Sequence, residues 1–148
     1  MPELTYVEDE HIDAEPERVF EYRLDYGANL PEYNPNVSNL QRSDRGTELG
    51  PGAVYAFEVE IPDMGSMPTS LTVLEAERPS RIVNEMGSGM FVAREECTFT
   101  PSEGGTLVAF QVTLTFPEEM AAVAELAEKS GREQVRLELE LMKKALEA

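Results

Sequence analysis

Glu95 is the side chain best placed for chemistry. In the stretch Phe91–Phe99 the apolar positions alternate, which puts Glu95 on one face with Phe91, Ala93, Cys97 and Phe99. A carboxyl among apolar neighbours can act as an acid or as a hydrogen-bond partner for a bound molecule. Two plainer alternatives stand beside this. A bulge turns Glu95 outward, or Arg94 or another arginine pairs with it structurally. Tyr55, on a second alternating stretch, is the other polar group facing inward. Glu95 and Tyr55 are weak candidates for directing proton transfer, and two positions make a thin constellation. No catalytic set is assigned.

Other reactive types are scarce. His11 is the single histidine and Cys97 the single cysteine, so neither a disulfide within the chain nor a Cys/His metal cluster can form. A lone histidine on a strand is expected to be a hydrogen-bonded structural residue. Cys97 reads as a small buried apolar residue, with no base or helix start nearby to activate it. Glu8, Asp9, Glu10 and Asp13 lack calcium-loop spacing and read as a solvated acidic face. Gly46, Gly50 and Gly52 precede a strand and lack the Lys and Ser/Thr of a phosphate loop. No metal and no cofactor is called for.

Composition narrows the partners. The 148 residues carry a formal net charge of −17, which disfavours nucleic acid and anionic membrane surfaces. Only three of the 12 basic residues are lysine, and excess acid with scarce lysine suits solubility in high salt. The start, Met1-Pro2-Glu3-Leu4, has neither basic nor apolar character of a secretion signal, and no apolar run approaches a bilayer span. A cytoplasmic location is the default expectation, with no membrane insertion. Oligomeric state is not legible.

The elements that must position these groups follow in order. A weakly alternating strand over 4–12 leads to a helix opened by Pro16, whose inner stripe is Val19, Phe20, Arg23 and Leu24. Gly27 and Asn29 are expected to end that helix. Pro31 and Pro35 are expected to bracket one further turn. Strands are expected near 37–42, 53–61, 70–77, 81–86 and 90–100. A last strand carries Val108, Phe110, Val112, Leu114 and Phe116 inward. Loops are expected at 46–52, 62–68 and 101–105, with a hairpin turn at Gly87-Ser88-Gly89. Thr115 and Glu118 have capping-box spacing, so the closing helix is expected over 116–147, interrupted at Ser130-Gly131. Its stripe is Val135, Leu139, Met142 and Leu146.

This order and its text resemble a known family. The stretches are Ile12-Asp13-Ala14 with Pro16-Glu17-Arg18-Val19-Phe20, Leu24-Asp25, and Leu30-Pro31-Glu32-Tyr33-Asn34-Pro35-Asn36-Val37. Glu77-Arg78-Pro79-Ser80-Arg81-Ile82, Gly105-Thr106 and the ending Leu141–Glu147 extend the match over nearly the whole chain. The chain is similar to the START-like (SRPBCC) superfamily, in its polyketide cyclase/dehydrase and lipid-transport group. The resemblance implies one domain over 1–148 with an α+β helix-grip fold. A curved seven-stranded antiparallel sheet holds two short helices after the first strand and a long C-terminal helix across it. The group contains carriers, hormone receptors, aromatase/cyclases, quinone-binding proteins and chaperone- or ribosome-associated members, so no catalytic residue carries over.

Such a fold leaves space between sheet and helix. Tyr55, Phe57 and Val59 are expected to line it from one strand, and Phe91, Glu95 and Phe99 from another. Phe110, Val112 and Leu114 would face Val135, Leu139 and Met142 of the helix. A filled core is the alternative. Met64 and Met67 would form a lid over the mouth or anchor their own loop. The expected function is binding of a small hydrophobic molecule such as a lipid, polyketide, isoprenoid or quinone, in transport or sensing. A polyketide aromatase/cyclase and a protein-interaction module are the alternatives.

Overall fold

The computed structural model describes residues 2–61, 65–87 and 91–148. Strand β1 (Glu3–Ile12) is followed by helices α1 (Pro16–Leu24) and α2 (Tyr26–Tyr33). Strands β2 (Val37–Arg42), β3 (Val54–Ile61), β4 (Gly65–Glu77), β5 (Arg81–Gly87), β6 (Val92–Ser102) and β7 (Gly105–Thr115) come next. A 3-10 turn at Glu118–Val123 leads into α3 (Ala124–Glu147). The strands form one antiparallel sheet in the order β1-β7-β6-β5-β4-β3-β2. Its concave face holds α1, α2 and α3, which makes the helix-grip architecture expected from the sequence.

The closing stripe of α3 is fully used. Val135, Leu139, Met142 and Leu146 are buried against Phe99, Phe110 and Val108 of the sheet and Val19, Phe20 and Leu24 of α1 within one core. Burying each such side chain contributes about 1.5–3 kcal/mol, so this stripe fixes the helix to the sheet.

Edge strand β1 is held from outside by α3. The Arg132 and Arg136 guanidiniums donate to the carbonyls of Val7 and Asp9, and Lys143 Nζ donates to that of His11. Residues 7, 9 and 11 present their carbonyls on one side of the strand, and 132, 136 and 143 lie on one helix face. Glu8 and Glu10 pair with the same arginines, which explains the acidic run of β1 as half of an ion-pair ladder. His11 Nε2 lies 2.8 Å from the Ser102 carbonyl, a structural contact.

Several expectations at element ends need correction. Helix α1 stops at Leu24, and Gly27 and Asn29 belong to α2. Asp25 makes the break, because its carboxylate accepts from the Ala28 amide and caps α2. Pro31 lies inside α2, which holds together by burying Tyr26, Leu30 and Tyr33. The loop expected over 62–68 is shorter. Strand β4 starts at Gly65, and Pro68 sits within the ladder opposite Glu58. Proline costs a strand one donor without forbidding extended backbone. Met67 is therefore a strand residue paired with Val59, while Met64 lies outside the described residues. The turn expected at Gly87-Ser88-Gly89 also falls mostly outside them.

The 101–105 turn tightens to Glu103-Gly104, both at positive φ, with Ser102 opposite Gly105. The closing helix starts later than Thr115. Thr115 is still paired with Glu3 and Val92, and Pro117, itself extended, disfavours helix at the residue before it. No side chain caps that start.

Ser130-Gly131 does not divide α3, which runs through both residues as one helix. Gly131 has another reason to be small: a β-carbon there would overlap the Tyr6 hydroxyl. Gly131→Ala is expected to lower stability by about 1–2 kcal/mol in urea unfolding, as overpacking does. Tyr6→Phe should recover part of that loss by removing the nearest overlapping atom.

Candidate functional site

The centre of the grip is polar. Arg23 of α1 is 2% exposed and lies between the helices and the sheet. Its Nη2 donates to Glu95 Oε1 at 2.6 Å, and its Nη1 donates to Glu138 Oε1 at 2.9 Å. The guanidinium carbon lies 4.4 Å from the Phe110 ring centre and 4.7 Å from that of Tyr33, so cation–π attraction adds to the ion pairs. Asn84 donates to Glu95 Oε1 and to the Tyr26 hydroxyl, and the Cys97 thiol also points at Glu95. Gln134 donates to the second oxygen of Glu138.

Burial opposes the charge on Arg23, but the Tyr33 and Glu95 environment outweighs it and holds the guanidinium well above its usual range. Burial also pushes the Glu138 carboxyl up, against the opposing pull of Arg23. The Cys97 thiol is pushed well up by burial and by Glu95, which makes it a poor nucleophile. Arg23 Nε, the Tyr33 hydroxyl and Asn84 Oδ1 find no hydrogen-bond partner among the described residues.

The space expected between sheet and helix exists on one side only. A cleft of about 520 Å³ opens between the first half of α3 and strands β3–β5. Phe57, Val59 and Met86 form its apolar wall, Leu137 and Gln134 face them from α3, and Glu138 lies at the inner end. A smaller hollow of about 220 Å³ continues along the sheet past Met67, Phe91, Ala93 and Leu114. Val59, Thr69 and Met86 border both, so the two are neighbours.

The cause is in α3. Toward the cleft it presents Ser130, Glu133, Gln134 and Glu138, and Leu137 is the one large apolar side chain it supplies there. Another depression, about 560 Å³, lies outside α1 and α2 among exposed charged side chains such as Glu21 and Arg78. Its lining sets Leu49, Ala145 and Leu146 among five charged side chains.

Of the residues expected to line a cavity, Phe57, Val59, Phe91 and Leu114 do border these hollows. Tyr55, Glu95, Phe99, Phe110 and Val112 border neither and are packed in the core, as are Val135, Leu139 and Met142. The filled alternative describes that half. Tyr55 packs at a tilt against Tyr26 and lies near Arg42, and it makes no hydrogen bond to Glu95. Glu95 faces inward, and its arginine is Arg23, not Arg94. Arg94 is half exposed and sits by Glu75. Met67 borders the smaller hollow from a strand.

Two residues of the site have no role assigned from the sequence, Arg23 and Glu138. Arg23 was visible as a charge inside an apolar stripe, which demands a buried partner. Glu138 lies three residues after Val135 and four before Met142, on the same buried face. Among the described residues no group of three or more His, Cys, Asp or Glu is placed to hold a metal ion. No helix there is long and apolar enough to cross a membrane.

A model of the polyketide cyclase / dehydrase and lipid transport family matches residues 4–147. The chain belongs to this family. No curated protein matches it. Among solved structures, the fold is similar to the di-domain ARO/CYC protein BexL from the BE-7585A biosynthetic pathway, with TM-score 0.81 and 18% identity. That match covers 99% of this chain and 50% of BexL, so the chain spans about half the length of the di-domain protein. KanY matches over 100% of both chains, with TM-score 0.80 and 22% identity. Ara h 8.0201 matches over 98% of both, with TM-score 0.76 and 12% identity. At these identities the likeness carries the fold alone. Family membership does not choose among the residues of the cleft.

Proposed function

We propose that this protein binds a small, mostly apolar molecule in the cleft between α3 and strands β3–β5. The supporting observation is the continuity of that space: an apolar wall of Phe57, Val59 and Met86 leads inward to Glu138 and onward to the smaller hollow. A concave site of a few hundred Å³ with a few polar groups is the usual form of a small-molecule pocket. Membership of a family described by polyketide cyclisation and lipid transport fits the same ligand class.

Binding of the neutral dye Nile red tests this. The native protein is expected to enhance its fluorescence saturably. Met86→Arg places a charge on the apolar wall and is expected to weaken binding at least about tenfold, equivalent to 1.4 kcal/mol. Circular dichroism of the variant checks that the fold is kept. Saturable binding that ignores Met86→Arg would place the dye elsewhere.

A cyclase reading has one observation in its favour. Glu138 is a carboxyl that burial pushes up and that borders the cleft, so it can hold or release a proton beside a bound ligand. This moves the proton-transfer candidate from Glu95 and Tyr55 to Glu138. Turnover of a poly-ketone substrate that survives Glu138→Gln unchanged would remove that residue from the reaction.

A further inference from the structure

We propose that the smaller hollow is a subsite for a single hydrocarbon chain, with Ala93 as its specificity-determining residue, so that the ligand of the cleft is a one-chain amphiphile. The inference rests on the cleft reading above and concerns the shape of what enters. Met86, Ala93 and Leu114 are direct partners across β5, β6 and β7, and they form one row on the inner face of the sheet. All three are only half-buried. Two residues further along the same strands, Asn84, Glu95 and Val112 make the next inner row and are 0%, 2% and 3% exposed. Among the described residues none from α3 borders the smaller hollow, so the helix leaves the first row uncovered.

The dimensions select a chain. From Met67 of β4 to Leu114 of β7 the hollow crosses three strand spacings, about 14 Å in all. Its volume of about 220 Å³ over that length leaves a mean section of about 15 Å². Carbon atoms in contact sit about 3.5–4.0 Å apart, so one methylene chain fills about 13 Å² and a flat ring system about twice that. A chain fits the hollow and a fused ring does not. Ala93 sets this section, because its methyl group lies between Met86 and Leu114 where a larger side chain would close the row. The polar end belongs to the larger cleft. Asn36, Ser130 and Gln134 border that space alone, whereas Thr69 is the one polar side chain of the smaller hollow and already donates to the Met67 carbonyl. Val59, Thr69 and Met86 border both, so one molecule lies with its head under α3 and its tail toward β7. From β3 to β7 is four spacings, about 19 Å, which an extended chain advancing about 1.2 Å per bond covers in about 16 bonds.

Hexanol, dodecanol and 9-anthracenemethanol share a neutral hydroxyl head and test the tail. Each is titrated against bound Nile red, with the dye's own affinity measured for every protein. Affinity for the native protein is expected to rise at least about twofold per methylene from hexanol to dodecanol, full burial corresponding to about fourfold, or about 0.8 kcal/mol. Ala93→Leu fills the notch and is expected to weaken dodecanol at least about tenfold, while hexanol and 9-anthracenemethanol stay within about twofold. Leu114→Phe plugs the same row from β7 and should give the same pattern. Both positions are half-buried, and circular dichroism checks that each variant keeps the fold.

Dodecanol affinity that neither variant lowers would overturn the inference while leaving the cleft reading in place. So would a loss of equal size for dodecanol, hexanol and 9-anthracenemethanol. If neither Nile red nor hexanol binds in a way that Met86→Arg weakens, the cleft reading itself fails and the inference goes with it.

Discussion

Arg23→Met is expected to lose about 3–5 kcal/mol of stability at neutral pH, the usual cost of removing one partner from a buried ion pair. Two carboxylates would be left without their shared guanidinium, and Phe110 and Tyr33 would lose the cation between them. A domain of this size is typically stable by only about 5–15 kcal/mol, so the variant would be close to unfolding. Glu95→Gln and Glu138→Gln, added together to Arg23→Met, remove the stranded charges and are expected to restore much of the loss. Replacing a buried ion pair and its partners with neutral groups is often tolerated where breaking it is not.

The pH dependence has a definite sign. Burial already holds the Glu138 carboxyl above its ordinary value, and Arg23 is the group pulling it down. Without Arg23 it rises further. The folded variant then keeps a proton that the unfolded chain has released, so its stability falls as pH rises above the ordinary carboxylate range. The gap between variant and native protein, measured by urea unfolding, should therefore be smaller near pH 5 than near pH 7. A gap that does not narrow on acidification, or a variant within about 1 kcal/mol of native, would mean that the three side chains are not coupled as described.

Gly105→Ala is expected to cost about 3 kcal/mol, at the upper end of overpacking. A β-carbon at Gly105 would overlap the backbone carbonyl of Ile12, with the Asp13 Cα and the His11 ring also close. A carbonyl in a paired strand cannot swing aside as a side-chain end can. The turn from β1 into α1 is anchored at the same place, where Thr106 Oγ1 donates to the Ala14 carbonyl at 2.7 Å. Gly87 supplies the comparison. Among the described residues a β-carbon there meets nothing within 4 Å, and Gly87→Ala is expected to stay within about 0.5 kcal/mol of native. Equal losses at the two positions would show that strand glycines matter here for a reason other than close approach.

Much of the architecture was legible because its signals are periodic. Alternation over 53–61 and 108–116, together with the Val135–Leu146 stripe, identified the inner faces of sheet and helix. The junction text around Pro16 and Pro31 identified the two short helices. Inward placement of Glu95 followed from alternation alone, and its partner did not, because 72 residues separate Arg23 from Glu95. Pairing at that range depends on how α1 is laid across the sheet, which no local pattern states.

The start of α3 was misplaced for a different reason. Thr115 and Glu118 have the right spacing for a cap, but Pro117 between them and the pairing of Thr115 in the ladder decide the matter. Loss of the cavity's inner half was hidden in volumes. Tyr26, Tyr33, Phe20 and Phe99 fill that half completely, and periodicity counts faces without measuring space. The open half was readable in principle from Ser130, Glu133 and Gln134, polar side chains where the helix faces the apolar wall of β3–β5.

The sheet has two ends, β1 and β2, and α3 treats them unequally. With the carbonyls of Val7, Asp9 and His11 already accepting from Arg132, Arg136 and Lys143, β1 offers no free ladder to an incoming strand. The other end, β2, has six residues and a register shift between Ser38 and Gln41, with Asn39 at positive φ. A partner strand would find no straight template there either. The protein is thus guarded against growing by strand addition at both ends of its sheet, once by cations and once by a bulge.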